Sequence, residues 1–128
     1  MIVKESPFKG KTGAQRVLNA LGYSLDGLGA GWRNEAAFRQ VALLAVAGIV
    51  ISLFVPLQPW AHAAVIGSHF LTVIVELLNS AVEAAVDHTS LERHELAKRA
   101  KDLGSAAQLV CLINLAAMWV MALTHLHA

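Results

Sequence analysis

The chain has 128 residues, of which 56% are hydrophobic and only 15% are charged, and its mean hydropathy is +0.56. This composition excludes an ordinary soluble domain and predicts a single integral membrane domain over residues 1–128. The formal net charge of +1 gives no basis for nucleic-acid binding, and the single cysteine, Cys111, cannot form an intrachain disulfide.

The first predicted element is an amphipathic helix over about residues 12–31. Five apolar side chains would share an arc of roughly 100° on such a helix: Val17, Leu18, Leu21, Leu25 and Leu28. A helix with one apolar face lies in the plane of the membrane surface, with that face at the headgroup boundary. The sequence therefore predicts a surface helix ahead of the membrane spans.

Three membrane-spanning helices are predicted after the surface helix. No Asp, Glu, Lys or Arg occurs between Arg39 and Glu76, and Pro56 and Pro59 divide that stretch at a tight turn. A third apolar run follows a charged connector. The predicted spans cover about residues 36–55, 61–87 and 105–126.

The distribution of basic residues predicts the orientation of these spans. Six Lys and Arg lie before the first span or in its first turn and four lie between the second and third, whereas the turn around Gln58 and the tail after Thr124 contain none. Because basic residues concentrate on the cytoplasmic side, the N-terminus and the connector between spans two and three are expected in the cytoplasm.

The second span carries an acidic stripe in an otherwise apolar sequence. At about 100° per residue, Glu76, Glu83 and Asp87 fall within roughly 40° of one another, with Asn79 and Ser80 beside them. An ionised carboxylate near the bilayer centre costs roughly 2.5 kcal/mol or more. Three on one face therefore indicate a functional site that holds a cation or a ligand.

Five charged residues are expected at one level, near the cytoplasmic surface: Glu35, Glu83, Asp87, Lys101 and Asp102. Hard carboxylate oxygens suit Mg²⁺, which binds through one or two carboxylates plus substrate phosphates. We interpret Glu35 and Glu83 as candidate metal ligands. Lys101 would neutralise phosphate charge, with Arg16 or Arg99 assisting.

Glu76 would lie about 10 Å deeper than Glu83, at 1.5 Å per residue, where a membrane-dissolved hydroxyl can reach it. It is the candidate general base. Other readings of the same stripe stay open. The acids could be protonated and hold helices together in an oligomer, or Glu76 could titrate in a small proton-coupled transporter.

Three segments carry a resemblance to a known family: NEAAFRQ (34–40), IVELLNSAVEAAVD (74–87) and AKRAKDLGSAAQLV (97–110). They resemble the prokaryotic diacylglycerol kinase family of small three-span membrane enzymes. The resemblance covers nearly the whole chain, and GYS at 22–24 extends it. It implies transfer of the γ-phosphate of ATP to the primary hydroxyl of diacylglycerol in a bacterial inner membrane. It also implies Mg²⁺ as cofactor and a homotrimer with shared active sites.

The resemblance also implies roles for individual residues. Glu76 corresponds to the proton acceptor, and Glu35 and Glu83 correspond to the Mg²⁺ ligands, with Asn79 and Asp87 supporting the phosphate and metal geometry. The residues expected to contact ATP are Arg16, Tyr23, Glu35, Glu83, Glu92, Arg93, His94, Lys101 and Asp102. The residues expected to contact the lipid include Arg16, Glu76 and Ser105.

The surface helix departs from the family pattern at three positions. Asn19 and Gly29 stand where basic residues are expected, and Leu25 stands where an aromatic residue is expected. These departures affect nucleotide and lipid contacts rather than the carboxylates. The acceptor also stays open, because related kinases of this fold act on undecaprenol instead of diacylglycerol.

Overall fold

The computed structural model describes residues 12–89 and 94–126, and it confirms the all-α prediction. The four helices are α1 (Gly13–Asn34), α2 (Ala36–Phe54), α3 (Pro59–Thr89) and α4 (Glu95–Thr124). Helix α1 belongs to one compact unit, and α2, α3 and α4 belong to a second. The predicted ATP-contacting residues Glu92 and Arg93 lie outside the described residues.

Helix α1 is the amphipathic helix that the sequence predicts. It begins at Gly13, whose φ of +70° is a left-handed backbone conformation that glycine adopts without strain. The helix continues to Asn34, beyond the predicted end near residue 31. Its apolar side chains are exposed within its own unit, as expected for a face that contacts lipid or protein.

Helices α2, α3 and α4 are each long and apolar enough to cross a membrane, with mean hydropathies of 2.0, 1.6 and 2.0 over their most apolar windows. Helix α2 has 19 residues, whereas α3 has 31 and α4 has 30. At 1.5 Å per residue the two longer helices measure about 45 Å, more than the roughly 30 Å of a hydrocarbon core. Both therefore extend beyond the apolar region of the bilayer.

Helix α4 begins ten residues before the predicted third span, because the end of the charged connector is itself helical. The segment is rich in Glu, Leu, Ala, Lys and Arg, which are strong helix formers. Lys98 and Asp102 form an ion pair four residues apart, with Nζ and Oδ2 separated by 2.5 Å. Pairs at this spacing stabilise helices modestly. The charged connector thus becomes an extension of the span.

Helix α3 is the central element of its unit, because it packs against both α2 and α4. Helices α3 and α4 run antiparallel: Asp87 pairs with Lys101 near the connector, while Ser68 meets Asn114 farther along. Side chains that face each other between these two helices form what we call the α3–α4 seam. This seam contains most of the polar contacts described below.

The end of the seam next to the α2–α3 turn is apolar and closed. Leu57, Ala61, Val65 and Ala122 are 0–2% exposed and form the buried core cluster. The turn is fixed by the carbonyl of Gln58, which accepts hydrogen bonds from the next helix's first amides. These four side chains are therefore closely packed.

Most of the apolar surface of the spans is not covered by the chain itself. Only 22%, 33% and 22% of the apolar windows of α2, α3 and α4 are buried within the chain. In a membrane, such surface faces lipid tails or neighbouring protein. The chain is therefore a membrane protein. Within one copy, the buried side chains of the spans lie mainly in the α3–α4 seam and in the contact between α2 and α3.

Candidate functional site

The acidic stripe begins inside the α3–α4 seam. Ser68, Thr72 and Glu76 are spaced four residues apart on one face of α3, and their side chains are buried. Glu76 is only 5% exposed. Glu83, seven residues further on, is half-buried. The stripe therefore passes from a buried carboxylate to a more accessible one along the helix.

Glu76 receives a hydrogen bond from Gln108 of α4. The Gln108 Nε2 atom lies 2.8 Å from Glu76 Oε2 and 3.0 Å from the backbone carbonyl oxygen of Thr72. Hydrogen bonds to a carboxylate are stronger than those between neutral groups, and more so where water is excluded. The carboxylate is thus held by the neighbouring helix. Motif spacing alone did not identify Gln108, although an amide side chain within an apolar span is itself a sign of an interhelical contact.

Asn79 lies one helical turn beyond Glu76 and faces a glycine of α4. A Cβ atom at Gly104 would come within 2.1 Å of Asn79 Oδ1. The Asn79 Oδ1 atom is buried, and none of the described residues donates a hydrogen bond to it. Buried carbonyl oxygens are nearly always satisfied, so close packing alone does not explain this unpartnered oxygen.

Asp87 and Lys101 form an ion pair between α3 and α4. The Lys101 Nζ atom lies 2.6 Å from Asp87 Oδ1, and both side chains are nearly half exposed. The structure thus brings together two of the five charged residues expected at one level. Asp102 instead pairs with Lys98 on its own helix and is exposed. The cation of Lys101 is therefore held next to the acidic stripe.

The carboxylates do not gather into a dense metal-binding cluster. Over residues 12–89 and 94–126, no three His, Cys, Asp or Glu side chains lie close enough together to hold a metal ion. Glu35 is the residue that precedes α2, with extended backbone angles, and its side chain makes no capping hydrogen bond to the described helix. Its carboxylate therefore does not cap α2. Glu35 and Glu83 remain predicted ligands.

The other predicted contact residues lie on three different parts of the chain. Arg16 and Tyr23 are exposed on α1. His94 is the N-cap residue of α4, and Ser105 is exposed further along that helix. All four remain predicted contact residues.

Polar residues continue along the seam beyond Glu76. Asn114 Nδ2 donates to Ser68 Oγ at 3.1 Å, and Trp119 Nε1 donates to the buried His69 Nε2 at 3.0 Å. A Cβ atom at Gly48 of α2 would lie 2.0 Å from that nitrogen. One ring nitrogen of His69 is satisfied in this way, whereas its Nδ1 is buried with no partner among the described residues. These contacts join the helices outside the acidic stripe.

The arrangement combines a carboxylate buried between apolar helices with charged groups at one end of the same helices. A family model described as prokaryotic diacylglycerol kinase matches residues 22–123. A diacylglycerol kinase of Pseudomonas aeruginosa is 54% identical over 114 residues, covering 89% of this chain and 93% of that protein.

Two further relatives show similar coverage. A diacylglycerol kinase of Escherichia coli is 45% identical over 112 residues, which are 88% of this chain and 92% of that protein. A diacylglycerol kinase of Helicobacter pylori is 46% identical over 115 residues, which are 90% of this chain and 89% of that protein. The chain belongs to the prokaryotic diacylglycerol kinase family.

Proposed function

We propose that this lipid kinase transfers the γ-phosphate of ATP to the primary hydroxyl of diacylglycerol, giving phosphatidic acid and ADP. Family membership over residues 22–123 supports the reaction, as do relatives that are named diacylglycerol kinase. The structural observation that carries the proposal is the Glu76 carboxylate, 5% exposed and hydrogen-bonded within the seam. A kinase for a lipid needs a base where water is scarce.

Glu76 acts as the general base in this proposal. Its carboxylate takes the proton of the lipid hydroxyl as the hydroxyl oxygen forms a bond to the γ-phosphorus of ATP. The bond between that phosphorus and the β,γ-bridging oxygen breaks, and ADP leaves. Because the carboxylate is buried between apolar helices, bulk water competes poorly with the lipid hydroxyl for the same position. This arrangement favours phosphorylation of the lipid over hydrolysis of ATP.

Phosphate charge is neutralised at the other end of the stripe. Lys101, held against Asp87 at 2.6 Å, supplies a cation at the end of the seam. Phosphoryl transfer depends mainly on positioning and on stabilising charge that spreads over the phosphate oxygens. Asn79, with its unpartnered buried oxygen, supports the same region from α3. These residues would orient the phosphates relative to Glu76.

Mg²⁺ is the proposed cofactor, and Glu35 and Glu83 would hold it. The donor set fits Mg²⁺, because this ion uses one or two carboxylates and completes its shell with water and phosphate oxygens. The described residues contain no cluster of three or more His, Cys, Asp or Glu side chains, and a Mg²⁺ site with two protein carboxylates does not require one. When bound, the ion would neutralise charge on the ATP phosphates.

The remaining ATP and lipid contacts would come from α1 and from the connector. The proposed ATP contacts are Arg16, Tyr23, Glu92, Arg93, His94 and Asp102 in addition to the residues above. Arg16 and Ser105 would contact the lipid. Asn19, Leu25 and Gly29 on α1 depart from the family pattern, so the nucleotide and lipid contacts of that helix would differ in detail.

The proposed enzyme is a homotrimer in the bacterial inner membrane, with its N-terminus and active site in the cytoplasm. The concentration of Lys and Arg before α2 and around the start of α4 supports this orientation. The extensive apolar surface that one chain leaves uncovered is compatible with association of several copies. Active sites shared between subunits would follow from that association.

An assay with purified protein in mixed micelles and ATP labelled in the γ-phosphate tests the proposal. We expect label in phosphatidic acid when diacylglycerol is supplied. Undecaprenol, supplied in a parallel reaction, separates the two acceptor classes, and label in undecaprenyl phosphate alone would overturn the diacylglycerol assignment.

Exhaustive chelation of divalent cations should abolish labelling, with restoration by Mg²⁺. Undiminished labelling after chelation would contradict the metal proposal.

A further inference from the structure

The side-chain amide of Gln108 is hydrogen-bonded at its nitrogen but not at its oxygen among the described residues. It is 8% exposed and lies on α4, opposite Thr72 and Glu76. Its Nε2 atom donates both of the described hydrogen bonds. Its Oε1 atom is buried, and no described residue donates to it. A side chain that only joined two helices would be expected to satisfy both ends of its amide.

The hydrogen bond to the Thr72 carbonyl fixes which end of the amide faces Glu76. A backbone carbonyl oxygen only accepts hydrogen bonds, so the Gln108 nitrogen, and not its oxygen, must lie on the Thr72 side. The same nitrogen is 2.8 Å from Glu76 Oε2. Rotation of the amide by 180° would place its oxygen against both the Thr72 carbonyl and the carboxylate, which is repulsive. The backbone of α3 thus holds the Gln108 donor toward Glu76.

We propose that Gln108 is a positioning residue for phosphoryl transfer, which holds the Glu76 carboxylate in the orientation that accepts the proton of the lipid hydroxyl. This inference rests on the proposed role of Glu76 as base. The hydrogen bond engages Oε2, so rotation of the carboxylate about its last bond is restrained and Oε1 is the oxygen that meets the hydroxyl. A base displaced by about 1 Å can lose roughly 100-fold in rate, so such restraint matters for turnover.

The rival explanation is that Gln108 contributes only to helix association, and Asn114 offers a matched control for it. Both side chains are amides on α4 that donate across the seam to α3, and Asn114 donates to Ser68 at 3.1 Å. Asn114 is half-buried and lies on the far side of Thr72 from Glu76. Removal of either amide takes away interhelical hydrogen bonding. Only removal of Gln108 releases the carboxylate.

The test compares Gln108→Met with Asn114→Leu in the full-length protein. Methionine keeps the length of glutamine and cannot donate. We expect Gln108→Met to lower kcat roughly 10- to 100-fold while leaving the KM for ATP within about twofold. Asn114→Leu should leave kcat within about twofold although it removes a seam contact. Equal kcat values for Gln108→Met and the parent protein would overturn the proposal, and so would an equal loss in both variants.

A second variant and a background mutation keep the result interpretable. Gln108→Asn retains an amide but withdraws it by one carbon, so we expect a folded protein with lowered kcat; full kcat would contradict the proposal. In a Glu76→Gln background, Gln108→Met should cause no further loss, because residues that act as a unit are not additive. If Glu76→Gln itself retains full activity, the base assignment fails; if it is inactive and Gln108→Met is normal, only the role of Gln108 fails.

Discussion

The two ends of the α3–α4 seam differ in how completely they are packed. At the turn end, Ala61, Val65 and Ala122 are each 0% exposed and form an apolar cluster. At the charged end, polar groups meet glycine and lysine across the seam, and the buried oxygen of Asn79 has no partner among the described residues. The turn end is closely packed around apolar side chains, although His62 Nδ1 beside it is also buried without a described partner, whereas the charged end brings several polar side chains together across the seam.

This contrast follows from what a membrane protein must satisfy in each region. Apolar helices in lipid gain stability from close contact, so a fully packed end holds the helices together. Unsatisfied polar atoms are costly where water is scarce, so they persist where a ligand satisfies them or a reaction uses them. Substitutions at the charged end should therefore change catalysis, and substitutions at the turn end should change stability.

Glu76→Gln should have the largest effect on activity. It removes the proton acceptor while keeping the shape of the side chain, so lipid phosphorylation should fall by about 100- to 10,000-fold. Glu95→Gln, on the exposed first turn of α4, is the matched control and should retain activity. Phosphorylation rates and thermal unfolding of both proteins in detergent provide the measurement. If the Glu76 variant folds normally and retains activity, Glu76 is not the general base.

Lys101→Met should have the next largest effect, because it removes the cation at the charged end. We expect kcat/KM for ATP to fall roughly 100-fold. Lys98→Met breaks the other ion pair of α4, which lies within one helix, and should stay within about twofold of the parent. Both pairs are exposed and contribute little to stability, so unfolding temperatures should hardly move. Equal losses in the two variants would mean that general surface charge, and not Lys101, matters.

A pair of glycine substitutions introduces the same steric defect inside and outside the charged end. Gly104→Ala places a Cβ atom 2.1 Å from Asn79 Oδ1, and Gly48→Ala places one 2.0 Å from His69 Nε2. Overpacking of this kind costs about 1–3 kcal/mol, so both variants should unfold at lower temperature. Only Gly104→Ala should also lower kcat, roughly tenfold, because it displaces Asn79.

Gly67→Ala is the control for that pair, because none of the described atoms lies within 4 Å of the added methyl group. It should leave both stability and kcat close to those of the parent. A loss of kcat in Gly48→Ala equal to that in Gly104→Ala would show that the seam transmits strain along its whole length. The distinction between its two ends would then be wrong.

Val65→Ala should have the smallest effect. Val65 is fully buried at the turn end, and truncation leaves a cavity. Because the unfolded chain in a membrane keeps its side chains in apolar surroundings, the loss is mainly one of packing contacts, about 1 kcal/mol. Activity per folded enzyme should not change. Thermal unfolding alongside the phosphorylation assay measures both quantities, and a fall in kcat without a fall in stability would contradict the assignment of this end to packing.

Much of the fold could be predicted because membrane spans are set by length and hydropathy. The absence of charge between Arg39 and Glu76 and the prolines of the turn predict α2 and α3 within a few residues. The start of α4 could not be predicted from hydropathy. Charged residues end an apolar run, but they do not end a helix when their helix propensity is high. Hydropathy locates the bilayer, whereas propensity and packing locate the helix.

Part of the candidate site could also be predicted, because the positions of side chains around a single helix follow from their spacing in the sequence. Helical periodicity places Glu76 and Glu83 on one face from spacing alone. The partners on α4 could not be predicted in this way. Which residues of one helix face a second helix depends on the rotation of each helix about its axis and on the offset between the two helices. That Gln108 faces Glu76 and that Gly104 faces Asn79 becomes evident only when α4 is placed against α3. The ion pair between Asp87 and Lys101 likewise depends on that placement.

The sequence by itself determined the number of spans, the acidic stripe and the family, because composition, period and motif are local properties of the chain. Only the tertiary structure decided which α4 side chains meet that stripe. It shows that Gln108 donates a hydrogen bond to Glu76 and that Gly104 makes room for Asn79. The physical reason is that interhelical contacts are set by close packing of two surfaces, and this packing joins residues that lie more than twenty positions apart in the chain.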